Sequence, residues 1–182
     1  MTETAGSEVE VRRIRADEWE AVRALRLEAT ADPDAAIAFL GTHDQTLQHD
    51  DDFWRLRTAD AADGETAAQF VAVRGDEWVG SATVLVRATG QRDHLGRIVD
   101  DRRAFVVGVY VRPAQRASGV IDLLLAASAE WAAGLGLDRL HLDVHRDNHR
   151  AQGAYRRAGF EPTGETLTSE IGPEIVMARP LS

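Results

Sequence analysis

Two groups of residues have the types and spacing that chemistry needs. The first is Arg112-Pro113-Ala114-Gln115-Arg116-Ala117-Ser118-Gly119-Val120, where an apolar run ends at a proline and a helical pattern begins. A turn at that junction leaves the first amide N–H groups of a helix unpaired and adds the positive end of the helix dipole, which suits a small anion such as phosphate. Arg116 brings a planar guanidinium that can pair with phosphate in a fork. This is neither a P-loop nor a dinucleotide fingerprint, since GxxxxGK[ST] and GxGxxG are both absent. The second group is His141, Asp143 and His145, which alternate and so share one face of a strand. An imidazole there could act as a general base, His-x-Asp-x-His could offer metal ligands, or the histidines could be hydrogen-bonded structural groups; no metal is expected.

The elements that must position these groups follow from periodicity. Val9 to Arg15 alternates as a half-buried strand, and Asp17 stands as the N-cap of a helix running to about Ala29. Asp50-Asp51-Asp52 before Phe53-Trp54 is either the acidic first turn of a second helix or a solvated charge run. Gln69–Val73 and Trp78–Val86, separated by Arg74-Gly75-Asp76-Glu77, read as a β-hairpin. Ala104–Val111 is nearly all apolar, as expected of a central strand covered on both faces. A helix is expected from Val120 to Leu135, a strand over Arg139–Val144 and a short helix capped by Asp147 or Asn148 and stopped at Gly159. Two short strands close the chain, around Glu165–Ile171 and Glu174–Ala178. The order predicts a mixed α/β fold: a polar leader over residues 1–8, then one domain over 9–182 with a central mixed sheet and about four helices.

Composition narrows the function. The chain has 182 residues and a formal net charge of −9, which works against a nucleic-acid or anionic-membrane footprint. There is no cysteine, and all 21 basic residues are arginine. Disulfides, thiolate–zinc sites and a thiol nucleophile are excluded. No stretch reaches the apolar length of a membrane helix and the start is acidic and polar, so a cytoplasmic protein is expected. The charge is uneven. Residues 105–160 hold seven arginines against five acids, and the rest fourteen against twenty-five.

Arg116-Ala117-Ser118-Gly119-Val120-Ile121 resembles the [Gln/Arg]-x-x-Gly-x-[Gly/Ala] pyrophosphate loop of the GNAT superfamily of N-acetyltransferases, and it follows the Val-x-Pro strand end seen there. Asn148 to Phe160 is similar to that family's Asn-x-x-Ala-x-x-x-Tyr-x-x-x-Gly-Phe element, one helix and one strand later. The resemblance implies an acetyl-CoA-dependent acyltransferase. The pyrophosphate of acetyl-CoA would rest on backbone amides of Arg116, Ala117, Ser118, Gly119, Val120 and Ile121. The pantetheine arm would bond main-chain groups at Val109 and Val111, and Asn148 would contact the cosubstrate from the far side. Tyr155 takes the position that donates a proton to the departing CoA thiolate, in keeping with a phenol's high pKa; otherwise it is a core aromatic beside Ala151 and Ala158. His145 lies nearest the expected splay between strands and is the candidate base.

The motif departs from the family at two positions. Ile121 replaces the last Gly or Ala, and Ser118 replaces a usual Lys or Arg, so Arg112, Arg146 or Arg150 is expected to supply the missing charge. Without cysteine, transfer should be direct, with amine and acetyl-CoA bound together. The expected reaction is acetylation of a primary amine of a small molecule or peptide, probed by release of free CoA thiol; the alternative is a catalytically silent acyl-CoA-binding or sensing module. The acidic remainder of the chain favours a cationic acceptor, and the resemblance allows a homodimer.

Overall fold

The computed structural model describes residues 8–182, so all but Glu8 of the leader lies outside the described residues. In chain order the elements are β1 (Val9–Arg13), α1 (Trp19–Ala31), α2 (His43–Leu47), α3 (Asp51–Asp63), β2 (Ala67–Arg74), β3 (Glu77–Arg87), β4 (Arg103–Val111), α4 (Val120–Gly134), β5 (Arg139–His145), α5 (His149–Arg157), β6 (Glu161–Ser169) and β7 (Gly172–Pro180). The strands form one seven-stranded sheet in the order β1-β2-β3-β4-β5-β7-β6. Neighbours are antiparallel except β4 and β5, which run parallel and are joined through α4.

Alternation decides which residues go to which face. One face carries Val84, Val106, Leu140, Leu142 and Met177, which pack with Leu124 and Leu125 of α4 and with Phe160. Burying a side chain the size of Leu124, which is fully enclosed, is worth about 2 kcal/mol. On the opposite face Ile14, Val22, Trp54 and Val71 pack beneath α1 and α3, while Leu25, Ala29, Phe39 and Tyr110 form a smaller cluster. β4 is thus covered on both faces, as its apolar run requires. The hairpin, the α4 span and both closing strands lie where periodicity puts them.

The N-terminal third departs from expectation. Asp17 does not cap α1; Glu18 holds the cap position without a side-chain cap bond. Its carboxylate instead accepts from the Arg12 guanidinium and the Arg15 N–H. Asp50 does cap α3, accepting from the Phe53 N–H at 2.9 Å, so the acidic run is a helix start. α2 was not expected. Thr42 and Gln45 form a capping box that fixes its start. With α2 the helices number five among the described residues.

The feature that makes the site lies between β4 and β5. Their pairing lasts only from Ala104–Val106 against Leu140–Leu142. Just beyond it β4 bulges: Thr83 of β3 faces Val107 and Ser81 faces Tyr110, one residue too many on β4. Gly108 within the bulge has φ of 61°, which a side chain would resist. From Val107 onward β4 therefore presents an unpaired edge inside the protein.

Candidate active site

The parting of β4 from β5 opens a cavity of about 440 Å³. Val106 to Val111 form one wall, Asp143 to His145 the other, and α5, the start of α4 and residues 32–39 close it. Val109 and Val111 face it as expected, although the Val111 carbonyl already accepts from Arg116 Nε at 3.0 Å.

The turn before α4 has the geometry of an anion cradle. Gly119 occupies the N-cap of α4 in the left-handed region, with φ of 84°, and its side offers no cap bond, so the first amides of α4 lack a side-chain partner. Ala117 is the only non-glycine residue with positive φ among those described, at 61°. A left-handed alanine costs about 1 kcal/mol. Strain of that kind concentrates where backbone groups are aimed at a ligand. Ala117→Gly should therefore raise the melting temperature by about 2 °C in thermal denaturation, the relief of strain exceeding the entropy lost by the freer unfolded chain; a lowered value would show that the conformation is not strained.

The side chains in the loop behave differently from expectation. The Arg116 guanidinium is not left free for phosphate: besides Val111 O, it donates to Asp32 Oδ2 at 2.7 Å. Burial pushes the Asp32 carboxyl up, but bonds from the Asp34 N–H and from Arg116 hold it below the ordinary carboxylate range. Ser118 Oγ donates to the Gln115 carbonyl, and Ile121 lines the cavity while packing against the core. Of the arginines named as substitutes for the missing charge, Arg150 lines the cavity, paired with Asp34 at 2.8 Å. Arg112 is clamped by Glu28 through two bonds, and Arg146 lies beside Asp147. Arg157, which the sequence reading did not single out, also lines the cavity.

α5 supplies two polar groups. Asn148 caps it, its Oδ1 accepting from the Ala151 N–H at 3.2 Å. Tyr155 is buried against Phe160, with ring centroids 6.1 Å apart, and lines the cavity. Burial pushes its phenol up to about 12. Its hydroxyl makes no protein hydrogen bond among the described residues, yet it is not sealed off from the cavity. The chain's other tyrosine, Tyr110, donates to Glu28 at 3.1 Å and is thereby committed.

On β5, His141, Asp143 and His145 alternate onto one face; Asp143 and His145 are engaged, while His141 Nδ1 is buried without a partner among the described residues. Asp143 accepts from Arg97 at 2.8 Å and lies 3.1 Å from His94. Burial first, and then the Arg103 charge, push the His141 imidazole down. His145 Nδ1 accepts from the Asp147 N–H at 3.1 Å, which leaves the ring proton on Nε2 and no lone pair free to take another. Among the described residues no three carboxylate or imidazole groups converge as metal ligands.

The residue that sequence reasoning missed is Glu174. It stands directly opposite His145 in the β5–β7 register and so projects from the same face. It is 4% exposed, lines the cavity, and its Oε1 is buried without a partner. A buried carboxylate oxygen left unsatisfied costs about 1–3 kcal/mol or more, and a native fold that retains one calls for a reason.

The residues present fit acetyl-CoA: a helix N-terminus that would suit pyrophosphate, a strand edge that would suit the pantetheine amides, and Tyr155 on the same cavity. Residues 19–160 match the profile of the Acetyltransferase (GNAT) family. Over 106 residues the chain is 33% identical to the aminoglycoside N(6')-acetyltransferase type 1 of Stenotrophomonas maltophilia, covering 58% of this chain and 67% of that protein. The GNAT-family acetyltransferase of Streptococcus pneumoniae superposes with a TM-score of 0.75 at 17% identity, over 96% of this chain and all of that one. A phosphinothricin acetyltransferase from Sinorhizobium meliloti, solved with acetyl-CoA, gives 0.71 at 16% identity over 96% of this chain and 89% of that one. The two structures share the fold, and the extent of the profile match settles the kinship: the chain belongs to the GNAT acetyltransferase family.

Proposed function

We propose that this protein transfers the acetyl group of acetyl-CoA to a primary amine of a small molecule while both substrates are bound. The observation that supports this most is that Tyr155 and Glu174 line one cavity, with Glu174 Oε1 buried and without a partner among the described residues. Acetyl-CoA supplies the thioester. Amides at the start of α4 hold its pyrophosphate, Asn148 and the β4 edge orient its arm, and the apolar walls at Val106, Val109 and Ile121 exclude water. Glu174, rather than His145, receives the acceptor's ammonium and takes its proton, freeing the nitrogen lone pair. As the C–N bond forms and the C–S bond breaks, the Tyr155 O–H gives its proton to the sulfur, the second proton shed by the acetylated nitrogen restores the Tyr155 hydroxyl, and Glu174 passes the first to solvent, leaving the amide and free CoA thiol. The chain has no cysteine to carry an acetyl group between substrates, which favours direct transfer.

The named activity of the Stenotrophomonas relative supports a cationic small-molecule acceptor. Mixing acetyl-CoA with a panel of primary amines should release free CoA thiol. Glu174→Gln keeps the size of the side chain but cannot accept a proton, and it should lower kcat about 100-fold with acetyl-CoA affinity within twofold of wild type. Equal turnover would take Glu174 out of the mechanism, and no turnover of any amine would overturn the reading itself.

A further inference from the structure

The chain carries nine more acids than bases, and its partly buried arginines are generally paired: Arg12 with Glu18, Arg97 with Asp93 and Asp143, Arg112 with Glu28, Arg116 with Asp32. Half-buried Arg26 of α1 breaks this pattern, and Arg57 of α3, an exposed side chain on the same cleft, is unpaired as well. Among the described residues neither guanidinium has a carboxylate or a hydrogen-bond partner. Both line a cleft of about 500 Å³ between α1, α2 and α3, and no acidic residue lines it with them. Burial first, and then the charge of Arg57, push the Arg26 guanidinium down to about 10. Two like charges held together in a concave site are mutually destabilising until an anion joins them.

Position ties this cleft to the acetyl-transfer cavity. The Arg26 guanidinium stacks on the Phe39 ring, 4.6 Å from its centroid. One of its terminal nitrogens lies 3.7 Å from where a β-carbon on Gly108 would stand, and the other lies equally close to Gly41. Phe39 and Gly108 both line the main cavity, so Arg26 stands at the wall between the two spaces. Trp54 lines the cleft as well, and its indole N–H is buried without a partner, a further donor left unmet there.

We infer that Arg26 and Arg57 form an anion subsite for the acceptor, which is therefore an amine that also carries an acid group, a carboxylate or a phosphonate. The inference rests on the acetyl-transfer reading for the role of the subsite, but not for its existence. Guanidinium forks match both oxyanions, and an amine tethered to an anion held at Arg26 would be delivered past Gly108 toward the splay.

Two measurements test it. Calorimetric titration of the protein with glutarate and with methylphosphonate, which have the acid but no amine, should show binding that Arg57→Gln weakens at least tenfold; the two titrations decide which oxyanion is preferred. In parallel, kcat/KM for 4-aminobutyrate and 2-aminoethylphosphonate should exceed that for butylamine and ethylamine at least tenfold, and Arg57→Gln should erase the difference mainly through KM. Arg57→Glu gives Arg26 a carboxylate partner. It should raise the melting temperature while abolishing anion binding, so a loss of binding is not a loss of fold. Absence of binding by both acids together with equal kcat/KM across each matched pair would overturn the subsite, as would turnover of aminoglycosides alone with no effect of Arg57→Gln. Anion binding with no acetylation of any amine would preserve the subsite and overturn the acetyl-transfer reading instead.

Discussion

Replacing Tyr155 with phenylalanine should lower kcat by about 100- to 1,000-fold, the size expected for loss of a general acid, and should leave acetyl-CoA affinity within a factor of two. The structure separates those effects. The ring packs against Phe160 and fills core space, and phenylalanine preserves that contact. Among the described residues the hydroxyl has no hydrogen-bond partner for its removal to strand. Burial pushes the phenol up to about 12. A raised value means the proton stays on oxygen throughout the neutral and mildly alkaline range, so ionisation of Tyr155 should put no falling limb in the pH–rate profile below about pH 11. Stopped-flow measurement of thiol release with parallel calorimetry would check both halves. A variant with full turnover would make Tyr155 a packing residue, and one with lost affinity would make it part of the binding surface.

Gly119→Asp is the second large effect. A β-carbon at Gly119 would meet nothing within 4 Å, so there is room for a side chain, although φ of 84° makes any substitution there strained. Aspartate at a helix N-cap offsets part of that strain by accepting from the amides that follow. The same bond engages those amides and adds a negative charge where pyrophosphate should rest. Acetyl-CoA affinity should fall by about 30-fold or more, since loss of charge-assisted bonds costs about 2 kcal/mol or more. Gly119→Ala carries the strain without the charge and should fall far less. Equal losses in the two variants would mean that backbone distortion, not anion repulsion, is responsible.

Local signals in the sequence were enough to place the turn before α4 and the bounds of α5. Pro113 and Gly119 bracket the turn before α4 and Gly159 follows the end of α5 through backbone preference, and Asn148 caps α5 through its side chain, so each acts locally. Other signals were present and overlooked. Thr42 with Gln45 is a capping box, and a lone glycine in the apolar run of β4 marks a bulge. The acceptor half depended on partners distant in sequence. Arg116 is engaged by Asp32, 84 positions away, so its availability for phosphate could not be read from the loop. Glu174 looks like an ordinary polar position in a closing strand until the β5–β7 register sets it opposite His145 over the cavity. Arg26 and Arg57 lie on different helices, and nothing in either helix alone says that the other guanidinium is near.

Because β4 and β5 hold each other through only three residue pairs before parting, the sheet consists of two plates, β1–β4 and β5–β7–β6, stitched along a short seam and backed by α4. Beyond the last stitch the edge of β4 lines the cavity, where an extended chain of amides could complete the row as a missing strand would. Acetyl-CoA bound there would in that sense be a mechanical part as well as a reagent, bridging the seam on arrival and releasing it on departure, so that each turnover would load and unload the joint between the two plates.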